Sequence, residues 1–159
     1  MFPEFQVRNY IVSSSYPETA KSINPSVLQE RNLFLLHTTV LMPFFLKSAI
    51  KDEVRCRVLS GLRSNELNRL VGGVIYSDHK DGNAVDVTAG ADMWNFRLFS
   101  FLNKHPFIYG QLIAYLRKDS SIRFIHVSLP TNRHYKDTRL KFFNSERSEP
   151  FKCMSQIRF

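Results

Sequence analysis

Cysteine is scarce in this sequence: only Cys56 and Cys153 occur among its 159 residues. One possible pair is no disulfide framework, and its spacing fits no metal-ligand motif, so a structural zinc held by cysteines is excluded. Cys56 lies in an apolar alternation and reads as core. Long apolar runs are also missing. The densest, from Leu33 to Leu46, is broken by His37, Thr38, Thr39 and Pro43. It falls short of the roughly 20 residues a membrane helix needs, so no membrane span is expected. The opening Met1-Phe2-Pro3-Glu4 shows no basic region followed by an apolar one, and no secretory signal is expected. Internal repeats and low-complexity tracts are absent too.

What is present points to a packed globule. Hydrophobic residues make up 43% of the chain, with 14 phenylalanines, which rules out a disordered chain. The length suits one domain with a core of its own. The formal net charge is +8, and a polyanionic neighbourhood follows, either nucleic acid or an anionic bacterial cell wall. The charge is spread along the chain, so it does not choose between them. Residues 131–159 hold seven Lys and Arg against three acidic residues and no stacking motif. They read as a basic C-terminal extension to a domain spanning 1–130. Nucleic acid has charge alone in its favour and is not the expected partner.

The element pattern is α+β. Residues 4–24 read as a short helix or an extended arm. Asn24-Pro25-Ser26 looks like a helix start, with Asn24 as cap and Pro25 at the first helical position. Leu28, Leu35, Leu36, Met42 and Leu46 recur at helical spacing and predict the main amphipathic helix over 26–48, kinked or ended by Pro43. Residues 53–60 alternate, with Val54, Cys56 and Val58 opposite Arg55 and Arg57, as a half-buried strand does. Ser64 to Leu70 is a short helix closed by Gly72-Gly73. A loop over 74–83 leads to a strand at Ala84–Thr88. Asp92 to Lys104 is a helix capped by Asp92, with Trp94, Leu98, Phe101 and Leu102 inward. Residues 107–117 and 122–129 are a strand pair joined by the Lys118-Asp119-Ser120-Ser121 turn. The expected fold is a small antiparallel sheet with helices packed on one face.

The stretch Ser77-Asp78-His79-Lys80-Asp81-Gly82-Asn83-Ala84-Val85-Asp86-Val87 carries the chemistry. His79 and Asp86 flank a glycine-bearing loop. A catalytic zinc needs three protein ligands and leaves the fourth position to water. His126, in the apolar strand Phe124-Ile125-His126-Val127-Ser128, is the best third ligand. Spacing alone does not decide the matter, because a lone strand histidine is commonly a satisfied core residue and Asp81-Gly82 is an ordinary turn signal.

Four segments taken in order are more specific. Ser60-Gly61-Leu62-Arg63-Ser64, Leu67-Asn68-Arg69-Leu70-Val71-Gly72-Gly73, Ser77 through Asp86, and Phe124 through Ser128 resemble the motifs of the zinc D-alanyl-D-alanine carboxypeptidase family. That family includes phage L-alanyl-D-glutamate endopeptidases and shares its fold with the hedgehog signalling domain. The resemblance spans roughly residues 4–133. It implies one zinc ion held by His79, Asp86 and His126, and it implies that Arg63 faces the scissile carbonyl, where a fixed cation stabilises oxyanion charge. It places Ser77 and Asn68 at substrate-binding motif positions, although loop capping explains both residues equally well.

The resemblance breaks at one catalytic position. The family carboxylate lies three residues before the last histidine ligand, and here that residue is Arg123, which cannot act as a base near neutral pH. An acid also often follows the family's Gln-Leu-Ile-x segment, whereas Gln111-Leu112-Ile113-Ala114 precedes Tyr115. Asp78 and Asp119 are the nearby carboxylates that could substitute. The expected function is a zinc metallopeptidase cleaving peptidoglycan stem peptides, phage-encoded and either lytic or virion-associated. It would act at the bacterial wall from the host cytoplasm or the virion. The alternative is a catalytically impaired zinc domain that binds the wall or serves a virion structurally, with virion proteins as its partners.

Overall fold

The computed structural model describes residues 4–43, 56–135, 138–144 and 147–151, the last two segments as backbone with the Arg139 side chain. A 3-10 turn, Val7–Tyr10, precedes α1 (Pro17–Lys21) and α2 (Val27–Leu35). Then follow β1 (Arg57–Ser60), α3 (Asn65–Leu70), a 3-10 turn at Asp78–Asp81, β2 (Ala84–Thr88) and α4 (Asp92–Lys104). The strands β3 (Gln111–Leu116), β4 (Ile122–Ser128), β5 (Thr138–Asn144) and β6 (Arg147–Phe151) are the last described elements. The architecture is α+β, as the sequence pattern implies.

The six strands form one sheet in the order β1-β2-β4-β3-β5-β6. The four strands from β1 to β3 are antiparallel throughout. Beyond them β5 runs parallel to β3, and β6 returns antiparallel to β5. The sheet is therefore mixed, and two strands lie where the sequence shows no alternation. Arg139 anchors this segment: its Nη1 donates to the carbonyls of Asn103 and His105, 2.6 and 3.0 Å away, at the C-terminal end of α4. A guanidinium there satisfies carbonyls that the last helical turn leaves unpaired.

One face of the antiparallel strands carries the core. Val85, Val87, Leu112, Ala114, Leu116, Ile125 and Val127 are buried together with Leu98, Phe99 and Leu102 of α4. Asn95, fully buried on α4, ties three pieces together. Its Oδ1 accepts from Thr88 Oγ1 and Ala89 N, and its Nδ2 donates to the Ile122 and Arg123 carbonyls. Those two carbonyls border a bulge. Tyr115 pairs with Phe124 and Leu116 pairs with Ile122, so Arg123 is the residue the ladder skips.

The first helix departs from the expected pattern. Its cap is Ser26, which forms a reciprocal capping box with Gln29, two residues past Asn24. From Leu36 to Leu41 the chain widens into a π-helix. Thr38 Oγ1 and Thr39 Oγ1 take up the Phe34 and Leu35 carbonyls at 2.9 and 2.5 Å, which loosens the ladder there. The inward stripe runs over Leu33, Leu36, Val40 and Leu41, and Leu28, in the first turn of α2, is 60% exposed rather than buried. The expected continuation over 44–48 lies outside the described residues, as do Val54, Arg55 and Cys153. His37, on the same stretch, accepts the Tyr10 hydroxyl proton on Nδ1 at 2.7 Å. Burial lowers the His37 pKa and raises that of Tyr10, so the imidazole is neutral and the phenol is the donor.

On α4, Ala91 takes the cap position, and Asp92 instead pairs with Arg117. Phe99 and Asn95 are buried on the inward stripe, while Trp94 and Phe101 pack at its margin. Replacing Asn95 by Ala removes the partner of several buried backbone groups at once. A loss of about 2–4 kcal/mol is expected, at roughly 1–3 kcal/mol per stranded group, read by urea denaturation. A loss below about 1 kcal/mol would mean water replaces these bonds.

Candidate metal centre

The face of the sheet opposite the core brings the sequence candidates together. Asp86 lies on β2 directly across from His126 on β4, and Ser60 of β1 lies across from Asp86 on the other side. His79 comes from the 3-10 turn that precedes β2. That turn ends at Gly82 in the left-handed region (φ 70°), where a Cβ would stand 2.7 Å from the Gln29 carbonyl oxygen. Glycine is required there for backbone conformation and for the close approach to α2.

His79 is oriented by the backbone. Its Nδ1 donates to the Gly61 carbonyl at 2.8 Å, and Arg63 N donates to the His79 carbonyl at 3.1 Å. Gly61 is wedged tightly, since a Cβ would fall 2.1 Å from the Tyr10 carbonyl oxygen. With its proton on Nδ1, neutral His79 presents an unprotonated Nε2 to the site. That nitrogen is 3.3 Å from His126 Nδ1 and 3.3 Å from Asp86 Oδ1. His126 Nδ1 and Asp86 Oδ1 are 2.8 Å apart. All three residues are buried.

This donor set fits a zinc ion. Tetrahedral zinc with bonds of about 2.0–2.1 Å separates its ligand atoms by about 3.3 Å, and two of the three edges have that length. Two imidazoles and one carboxylate are also a usual catalytic ligand set. Two lone-pair-bearing atoms, His79 Nε2 and Asp86 Oδ1, face each other without a proton from His79 between them, an arrangement that a cation relieves. Burial lowers the His79 pKa against the pull of Asp86, which leaves the ring neutral as a ligand must be. Burial works against ionising Asp86, but the two imidazoles beside it, with His126 Nδ1 2.8 Å from Oδ1, outweigh it. They hold the carboxyl well below the usual range.

Arg63 sits behind the triad. Its Nη2 meets Asp86 Oδ2 at 3.0 Å and its Nε donates to Ser60 Oγ at 2.9 Å. Burial lowers its pKa, with Asp86 as the opposing influence. The guanidinium is thus engaged in orienting a ligand carboxylate, a role the sequence reading did not assign. Asn68 donates from Nδ2 to the Val74 carbonyl at 2.9 Å and clasps the loop after α3. Ser77 is buried at the start of the 3-10 turn, where its carbonyl accepts from Lys80 N at 3.1 Å.

Neither alternative carboxylate joins the triad. Asp119 is in the β3–β4 turn, where it accepts from Ser121 N and Oγ at 2.9 and 2.7 Å. Asp78 is almost fully buried and accepts from His134 Nδ1 at 2.7 Å. Arg123 is exposed, its guanidinium 6.0 Å from the Phe124 ring centroid. A cleft of about 740 Å³ is lined in part by Arg63, Ser64 and Lys80, and another of about 500 Å³ by Gln29, Asn32, Asp81 and Arg133. The triad lines neither of them.

Residues 49–128, just over half of the chain, match the model of the peptidase M15 family. No curated protein matches the chain.

Purified protein is expected to bind one zinc per chain by elemental analysis, with His79→Ala and His126→Ala each binding essentially none. Arg63→Met releases Asp86 Oδ2, and a 10–100-fold loss of zinc affinity is expected in competition with a chromophoric chelator, the usual cost of losing a group that orients a ligand. Unchanged affinity would show that Asp86 needs no such support.

Proposed function

The chain belongs to the peptidase M15 family, and on that premise we propose that it is a zinc-dependent peptidase acting on peptidoglycan stem peptides, as a carboxypeptidase or an endopeptidase. The observation that carries this reading is the donor triangle of His79, Asp86 and His126, two of whose edges have the length one tetrahedral ion sets. A phage-encoded lytic or virion-associated protein fits the small chain and its charge of +8, which favours an anionic wall.

The residues divide the work as follows. His79 Nε2, Asp86 Oδ1 and His126 Nδ1 would hold the ion. When bound, zinc supplies Lewis-acid polarisation of the scissile carbonyl and brings the pKa of a bound water to about 7. Gly61 fixes the tautomer of His79 through its carbonyl. Arg63 fixes the rotamer of Asp86 and balances its charge.

Arg123 stands where the family keeps its carboxylate, and Asp78 and Asp119 are tied up elsewhere. General base catalysis contributes typically 10²–10⁴-fold, so a slow enzyme is expected. The same substitution favours a second reading, a zinc domain that binds wall peptides or virion proteins without cutting them.

Digestion of purified peptidoglycan, with mass analysis of the released peptides, separates the two. Slow, chelator-sensitive release that Asp86→Ala abolishes supports the peptidase. Arg123→Glu is expected to accelerate release by at least about tenfold, within the range general base catalysis supplies. If wild type and Asp86→Ala are equally inert and Arg123→Glu gains nothing, the binding reading stands instead.

A further inference from the structure

The sheet face that carries the triad continues past it. Asp86, His126 and Ile113 form one row across β2, β4 and β3. One step along, Phe124 and Tyr115 form the next row. Leu112, Ala114 and Leu116 are buried in the core, so by strand alternation Tyr115 stands on the metal face. Its ring stacks on Phe124, with centroids 4.4 Å apart and planes 14° from parallel. An ordinary phenol is protonated near neutral pH.

A peptide laid across the triad toward β3 would pass this row, while Arg63, beside β1 and β2, has two of its donor nitrogens committed to Asp86 and Ser60. A fixed, neutral O–H suits that place. It carries no charge to repel the developing oxyanion, and ring stacking leaves it little freedom to lose. Resting on the peptidase reading above, we propose that Tyr115 is a catalytic residue whose phenol O–H donates a hydrogen bond to the carbonyl oxygen of the scissile peptide. The bond strengthens as negative charge grows on that oxygen. No proton leaves the phenol in this step.

Tyr115→Phe tests the assignment, because it keeps the ring and its stacking. Zinc content and melting temperature are expected to stay at wild-type values. The rate kcat should fall about 10²–10³-fold with KM changed by less than about threefold, the usual loss for one oxyanion donor. A second readout needs no turnover. Phosphinate analogues of D-alanyl-D-alanine and of L-alanyl-D-glutamate carry a tetrahedral oxyanion at the scissile position. Calorimetry should show the analogue that binds zinc-loaded wild type losing about 10²-fold or more with Tyr115→Phe. Equal analogue affinity in the two proteins, or no binding of either analogue to wild type, overturns the assignment. So does loss of zinc or of stability in Tyr115→Phe, which would make the hydroxyl a structural group. Should wild type cut nothing while the hydroxyl still governs analogue affinity, the peptidase reading fails and the Tyr115 contact stands.

Discussion

The register between β2 and β4 is the constraint on which the centre depends. Pairing Asp86 with His126 puts a carboxylate oxygen and an imidazole nitrogen 2.8 Å apart on one face. The side-chain period of a strand is two, so a slip of one residue would turn one of these ligands into the core. The core itself prevents the slip. Val85, Val87, Ile125 and Val127 all lie on the other face and are fully buried. Apolar burial thus enforces the geometry of a polar site with which it shares no atoms. Asn95 adds a second lock at the bulge end, where it holds β2, α4 and the start of β4 together.

The third ligand is held by different means. His79 lies on a short 3-10 turn, a weak element on its own. It is positioned by what it touches: the Gly61 carbonyl on its ring and the Arg63 amide on its own carbonyl. Gly61 is in turn pressed against Tyr10, whose carbonyl accepts from Leu62 N at 2.8 Å. Tyr10 is fixed by His37. A chain of close contacts runs from α2 through the N-terminal segment to the site. One residue without a side chain makes that approach possible.

Much of this was legible in the sequence. The strand Ala84–Thr88 and the helix Asp92–Lys104 have the bounds that alternation and periodicity imply. His79, Asp86 and His126 were candidates by residue type, and the resemblance of four ordered segments to family motifs joined them into one set. Three features were hidden. The inward stripe of α2 and its π-helical continuation is phased on Leu33, Leu36, Val40 and Leu41, and Leu28, which read as core, lies in the exposed first turn. The strands after residue 137 are short and rich in charge, and parallel pairing with β3 is a long-range event with no local signature. The engagement of Arg63 with Asp86 depends on a β1–β2 pairing that spacing does not display. The place of Tyr115 beside the triad was within reach. It follows from counting in twos along Gln111, Ile113 and Tyr115 once the intervening Leu112, Ala114 and Leu116 are set in the core.

The parallel strand β5 has a consequence for how copies of this chain meet. Without it β3 would end the sheet, presenting a free row of backbone donors and acceptors to any neighbouring strand, the kind of surface along which proteins aggregate. With it in place the boundary moves out to β6, whose sequence Arg147-Ser148-Glu149-Pro150-Phe151 is poorly suited to recruiting another strand. Two charged residues and a proline without an N–H blunt such an edge. The C-terminal segment thus shields the metal-bearing sheet from self-association, and Arg139, by gripping the end of α4, keeps the shield in position.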